Sequence, residues 1–501
     1  MATEKYGIYG ELIQSLAATP VSTDTKIIFI GACAGGDLNK AYEISSFADY
    51  AQRLGGAADD GYNLTEAAIA AFQMVGIGGV VMIPVSHSTA FSSADYVGDG
   101  VSTGAAAIVR YLANNPTAVV LVCAPGITDA TALDALKGAC KKADGHWDSV
   151  LVYDTAIPAA AVDENNIFID ADAVSKAISD EQAICCLGKC KTNGNAVISM
   201  AAVRCCLMAR ADAGYGVPAR SGGNLAIQGM SAWGYSTHYN AVAASATVRL
   251  GNGTVESGYC TATAKNAGGA GNQLSFTVTL HGSQQGYVVT TYLDGEVVDT
   301  SAMISGNTPN HYENDYASFS ITGTWNVQWD PGIVALEGGV DAQDVFSPVD
   351  IPETQSTELS ANGICAVVNY SGTYYTWGDH TSAFSNGAVS DERARFDNTI
   401  RMQLMITNRF QIKYRTSVDA PMTLQMRDDV INEELDFLAS LVAIGALIGD
   451  PVCEFSPLDN TTDGVAQGQF VWRIADTPTI PFKYGNLKVA YTAAGLSVYM
   501  Q

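Results

Sequence analysis

Four short, almost wholly apolar runs, Lys26–Ile30, Val80–Val85, Ala118–Cys123 and Ser149–Tyr153, punctuate the first third of the chain, separated by helical text such as Thr131–Lys142. Runs apolar at nearly every position predict strands buried on both faces, as in a largely parallel α/β sheet. Ala67–Val85 carries no charged residue and approaches the length of a membrane span. Gly76, Gly78 and Gly79 divide it, predicting an alanine-rich helix (about Leu64–Val75) and a strand (Val80–Val85) instead. Asn195–Met208 is a further apolar run, followed by the loop-like text Ala213–Asn224.

The pattern then changes. Leu274–Leu280, Tyr287–Leu293 and Ala317–Trp325 alternate apolar and polar residues in Thr-, Val- and Tyr-rich text, which predicts half-buried antiparallel strands in an inserted domain. Mixed α/β text resumes near Leu359. Its strongest helical signal is Leu424–Ile448, with Val430, Leu438, Leu441 and Gly445 near one face and Asp428, Asp429, Glu433, Glu434 and Asp436 in the first half, where the helix dipole favours acidic groups. Gln469–Ile474, Asn486–Tyr491 and the uncharged tail Leu496–Gln501 read as strands, and Tyr6–Tyr9 as a short extended segment before Ser/Thr-rich text. The predicted class is a multidomain α/β protein. It has an extended arm at 1–25, an α/β core at 26–240 completed by 347–492, an inserted antiparallel β domain at 241–346 and a C-terminal arm strand at 493–501.

Charge narrows the function classes. The 501 residues carry 51 acidic and 26 basic side chains, a net charge of −25, so a nucleic-acid partner is not expected. Only 15% of residues are charged, against roughly a quarter in ordinary domains, so much of the surface is expected to be covered by something. Met1–Gly10 shows no basic patch followed by an apolar core, which predicts synthesis in a reducing cytoplasm without a cleaved secretory signal. The 11 cysteines, an odd number, sit mostly in apolar runs and read as small buried hydrophobes rather than a disulfide framework. Neither membrane insertion nor a cofactor is expected.

Catalytic and metal constellations are weak. Gly31–Gly36 follows a strand as a phosphate loop would, but Asp37 stands where a Lys-Ser/Thr pair would be needed, so the segment reads as a tight turn. Val85-Ser-His-Ser88 and Ile198-Ser-Met-Ala201 lack the surroundings of a nucleophilic serine, and His281 follows the latter in strand-like text. Cys185, Cys186 and Cys190 have no CxxC spacing and no histidine nearer than His146 and His238, so no metal site is expected. The carboxylate cluster around Asp428 reads as a solvated or partner-facing helix surface, and no catalytic residue is assigned.

Several segments, taken in order, resemble the tail sheath proteins of contractile bacteriophage tails and related contractile injection systems. They are YGIYGELIQSLAATPVSTDTKIIFIGACAGG (Tyr6–Gly36), AYEISSFADYAQRLGG (Ala41–Gly56), NLTEAAIAAFQMVGIGGVVMIPV (Asn63–Val85) and the strand, Ala-Pro-Gly turn, helix and strand of Ala118–Ala156. They continue with Ala196–Met230, LSANGICAVVNYSGTYYTWGDHT (Leu359–Thr381) and QGQFVWRIADTPTIPFKYGNLKVAYT (Gln467–Thr492). At position 380 this chain has histidine where the family usually has arginine, so no salt bridge is carried over there. The resemblance spans roughly two thirds of the chain and leaves the β-rich insert outside it, as an outer-surface decoration.

The resemblance implies a helical homopolymer that wraps an inner tail tube and shortens on triggering without consuming nucleotide. The implied partners are the tube, baseplate and tail terminator proteins, and the implied location is the virion tail after assembly in the host cytoplasm. Strand-like termini suit β-augmentation between subunits. The expected inter-subunit arms are Tyr6, Gly7, Ile8, Tyr9 and Leu12 at one end and Leu496, Val498 and Tyr499 at the other. Asp428, Asp429, Glu433 and Glu434 are the expected tube-facing residues. The competing readings are a non-contractile virion or array protein and, behind it, an α/β hydrolase.

Overall fold

The computed structural model describes residues 25–57, 60–141, 148–239, 242–250, 258–281, 286–305, 310–323, 332–339, 343–492 and 498. They divide into two compact units, one running to Tyr235 and resuming at Pro348, the other spanning Ser236–Ser347.

The first unit opens on β1 (Thr25–Ala32), β2 (Tyr42–Ile44), α1 (Phe47–Leu54) and α2 (Asn63–Ala68), which continues as a π-helical turn over Ile69–Val75 into β3 (Val80–Ser86). Helices α3 (Ser93–Val97) and α4 (Ala105–Asn114) lead to β4 (Val119–Ala124), and α5 (Ala130–Cys140) to β5 (Val150–Thr155). Then come β6 (Ala183–Leu187), β7 (Lys189–Thr192), β8 (Val197–Ser199), α6 (Met200–Tyr215), β9 (Ala226–Ile227) and β10 (Met230–Tyr239). The membrane-length run is thus a helix and a strand, and no described helix is long and apolar enough to cross a membrane.

The second unit holds β11 (Ser245–Leu250), β12 (Gly258–Ala264), β13 (Leu274–Leu280), β14 (Gly286–Leu293), β15 (Glu296–Thr300), β16 (Ile304–Ser305), β17 (Asn310–Glu313), β18 (Ala317–Gly323) and β19 (Val334–Ala335). Two antiparallel sheets, ordered β11-β12-β18-β17 and β15-β14-β13-β19, share one core. Phe276 of β13 meets Phe319 of β18 edge-on with ring centroids 5.5 Å apart. The alternation in Leu274–Leu280 does what period two requires: Leu274, Phe276 and Val278 are buried while Ser275 and Thr279 are not.

The chain returns through β20 (Gln343–Pro348), α7 (Glu353–Ala361), β21 (Ile364–Tyr370), β22 (Thr373–Trp377), α8 (Asp397–Tyr414), α9 (Leu424–Ala443), β23 (Val452–Glu454), α10 (Thr462–Ala466) and β24 (Arg473–Ala475). Strands from both parts of the first unit form one nine-stranded sheet in the order β2-β3-β1-β4-β5-β6-β21-β22-β9. The six strands from β3 to β21 are parallel, and the outer strands β2, β22 and β9 pair antiparallel. Every residue of β4 and β5 is buried, as their unbroken apolar text requires. Helix α6 is buried along almost its whole length, and its alanines and cysteines let it lie close to the sheet.

Two predicted elements differ. The helix expected over Leu424–Ile448 stops at Ala443, because Gly445 takes a left-handed backbone (φ 76°) that reverses the chain. Asn486–Tyr491, expected as a strand, has no regular secondary structure.

Candidate assembly site

The segments with suggestive chemistry serve the fold. Asn63 Oδ1 accepts from Ala32 N at 2.6 Å and occupies the space a Cβ on Gly31 would need, so the glycine after β1 admits a side chain rather than a phosphate. Ser199 Oγ donates to Asp154 at 2.5 Å and accepts from Ala202 N, which makes it the N-cap of α6. Asp154 also accepts from Gly126 N and Ala201 N; burial pushes its carboxyl up to about 6 despite these bonds. His87 Nδ1 is spent on the Cys33 carbonyl. A cavity at the carboxyl ends of β1, β3 and β4, the usual ligand position in parallel sheets, holds only about 150 Å³, below the ~300 Å³ of small-ligand pockets. Cys185, Cys186 and Cys190 are buried, and burial pushes the Cys190 thiol up to about 12. Among the described residues no group of three or more His, Cys, Asp or Glu side chains could hold a metal.

A buried ionic network fixes the C-terminal part of the sheet to the N-terminal part. Asp212 of α6 receives Arg401 of α8 at 2.7 Å and Thr25 Oγ1 of β1 at 2.9 Å, while Arg204 reaches Asp397 at 2.9 Å and the Gly378 carbonyl at 2.8 Å. Burial pushes the Asp212 carboxyl up, and Arg401 opposes it.

This frame carries two incomplete elements side by side in sequence. The first is the two-stranded ribbon of β23 and β24, which pair through Val452–Ala475, Cys453–Ile474 and Glu454–Arg473. A ribbon this short has marginal stability by itself. It adjoins an aromatic group, Phe410, Phe455, Phe470 and Trp472, with centroids 5.6–6.5 Å apart. A cavity of about 300 Å³ lies among Phe410, Met422, Met426, Val430, Phe470 and Trp472.

The second is the chain after β24. It is held as far as Thr479, whose N–H donates to the Ala446 carbonyl (3.0 Å) and whose carbonyl accepts from Asn398 Nδ2 (2.8 Å). Lys483 then pairs with the buried carboxylate of Asp379. Around and beyond that tether, Phe482, Tyr484, Leu487, Val489 and Tyr491 are between 80% and 89% exposed. Leu487, Val489 and Tyr491 stand two apart and would share one face of a strand. Burying each such side chain stabilises by about 1.5–3 kcal/mol, so five in a row left in water mark a contact surface rather than a solvated tail.

The expected arm residues Tyr6, Gly7, Ile8, Tyr9, Leu12, Leu496 and Tyr499 lie outside the described residues, while Val498 is described and 72% exposed. Of the expected tube-facing acids, Asp428, Asp429 and Glu433 are exposed on α9. Asp428 pairs with Arg427, Asp429 accepts from Gln425 Nε2, and Glu433 pairs with Lys413, whose ammonium holds its carboxyl below the usual range. Glu434 is a correction. It is buried, receiving Arg409 at 2.7 Å and the Tyr414 hydroxyl at 3.0 Å, and so presents no charge outward. The signal was available: Glu434 stands four residues from both Val430 and Leu438, on the apolar face of α9. Nothing local in the sequence marked Lys483 and Asp379, which lie 104 positions apart.

No family model matches the sequence, and no curated protein matches it. Solved structures do match. A chain of the anti-feeding prophage baseplate, six-fold symmetrised, aligns with TM-score 0.55 and 14% identity over 98% of this chain and 100% of that one. A chain of the PVC sheath complex of an extracellular contractile injection system, in the contracted state, aligns with TM-score 0.53 and 14% identity over 99% of both. The chain therefore has the fold of contractile tail sheath proteins. The likeness runs through both units, including the β-rich one that the sequence resemblance left out.

Proposed function

We propose that this protein is the structural subunit of a contractile sheath: a helical homopolymer around an inner tube, whose shortening drives the tube through a bacterial envelope. Work in such a device comes from the free-energy difference between two lattice packings, with no nucleotide consumed. Partners in this reading are further copies of the chain, a tube protein, and baseplate and terminator proteins at the ends. The particle is a tail assembled in the host cytoplasm.

The observation that supports it is the row of exposed apolar residues from Phe482 to Tyr491 beside an unfinished two-stranded ribbon. A segment with strand alternation and no partner strand, and a ribbon with too few strands, supply complementary halves of a β-augmented contact between copies. Main-chain bonds made in this way persist while subunits rotate, which suits a lattice that must change pitch without falling apart.

The test is assembly itself. Purified full-length chain is expected to form tubes in electron micrographs, with two distinct helical lattices before and after triggering. A chain truncated after Lys483 is expected to remain folded and monomeric. Full-length sheaths built by the truncated chain would remove the arm, and a single lattice under all conditions would replace contraction by static assembly.

A further inference from the structure

His380 sits where the C-terminal segment is tied to the core. Its ring is buried between Phe384, at 3.7 Å and nearly parallel, and Phe396, at 5.2 Å. Its Nδ1 lies 2.7 Å from the Arg395 carbonyl. A carbonyl only accepts, so Nδ1 carries the proton and the neutral ring presents a bare Nε2. That nitrogen stands 3.6 Å from Asp379 Oδ1, the same oxygen that Lys483 Nζ contacts. One carboxylate oxygen thus faces two candidate cations, of which only Lys483 is charged while the imidazole is neutral.

We propose that Asp379, His380 and Lys483 form a proton-operated latch on the root of the C-terminal segment. When Nε2 takes a proton from solvent, it becomes a donor to Asp379 Oδ1, displaces the Lys483 ammonium, and frees the segment that follows. The other charged groups around the ring are fixed by different partners. Asp397 is held by Arg204 and by Gly222 N, Arg395 pairs with Glu392 on the surface, and the Cys365 thiol is directed at the His380 carbonyl. Burial lowers the histidine's proton affinity, Asp379 raises it and Lys483 opposes it, so the latch works on the acid side of the ordinary histidine range. The significance of release rests on the reading of this segment as the assembly arm; the latch itself does not.

The seating of the root is read from the amide of Thr479, which bonds to the Ala446 carbonyl. Hydrogen exchange on the unassembled full chain, corrected for intrinsic pH dependence, is expected to show its protection falling roughly two- to fivefold between pH 7.5 and 5, the range a partly exposed ion pair supports. His380→Phe keeps a ring in the stack and cannot titrate, so its protection should not change with pH. His380→Gln, which retains a donor, serves the same purpose if the phenylalanine variant misfolds. Lys483→Met should be weakly protected at both pH values. A pH response that survives both histidine substitutions, or no response in the unmodified chain, overturns the latch. A chain that shows the response but never polymerises instead removes the sheath reading alone.

Discussion

Arg401 places Nη1 2.7 Å from both carboxylate oxygens of Asp212, across 189 positions of sequence that include the whole second unit. Both side chains are almost completely buried, and Arg401 Nη2 also donates to the Arg220 carbonyl at 2.6 Å. The contact joins α6 to α8 and, through Thr25, to the first strand of the sheet. Ion pairs this deep contribute little net stability when complete, because desolvation offsets attraction, but breaking one leaves a buried charge alone.

Arg401→Met should therefore destabilise the chain by about 3–5 kcal/mol in urea unfolding, and adding Asp212→Leu should recover most of that loss. Equal losses in the single and double variants would show that the pair is not the origin of the cost. Arg401 offers a rigid check on whether the two parts of the split unit fold together, since a separate C-terminal transition should appear if they do not.

Asp154 provides a pH dependence of definite sign. Its folded carboxyl is raised from 3.8 to about 6, chiefly by burial, so it binds its proton more tightly folded than unfolded. Its contribution to stability is complete below the unfolded value and is lost as pH rises through about 6. The shift corresponds to about 3 kcal/mol. Asp154→Asn should flatten the stability difference between pH 4 and pH 6.5 relative to the unmodified chain, and parallel pH profiles for the two would assign the slope to other groups.

All eleven cysteines are free and buried, and burial pushes Cys33 and Cys453 up to about 11 and Cys140 up to about 12. Native protein should leave Ellman's reagent unreacted over the time in which guanidinium-unfolded protein titrates eleven thiols, because thiolate is the reactive form. A single thiol reacting in the native chain, mapped to Cys453, would show that the β23–β24 ribbon opens before assembly.

The parallel sheet was legible because its strands are apolar throughout, and the sandwich because Leu274–Leu280 alternates; in both cases burial within one chain explains the pattern. Asn486–Tyr491 also has strand alternation, yet it forms no strand, since a strand needs a neighbour and pattern does not say in which molecule that neighbour lies. The π-helical turn at Ile69–Val75 left no mark in alanine-rich text, and the His380 cluster depends on Lys483 returning to Asp379 from far along the sequence. Local periodicity carries faces, whereas convergence of distant charges is set by topology.

The acidic face of α9 separates a structural charge from three outward ones. Glu434 is the buried acceptor for Arg409, so Glu434→Gln should lower stability by about 1–3 kcal/mol by leaving the hydrogen-bonded charge unmatched. Asp428, Asp429 and Glu433 are exposed, and their surface pairs are worth at most about 1 kcal/mol each. Reversing these three to lysine should leave the fold intact and, if α9 faces the tube, weaken co-sedimentation of sheath with tube in a salt-dependent way. Unchanged co-sedimentation at low salt would assign this face to solvent. A triple variant that unfolds would show that the Lys413–Glu433 contact supports the α8–α9 pair far more than an exposed bridge can, and Glu433→Lys alone would reproduce the defect.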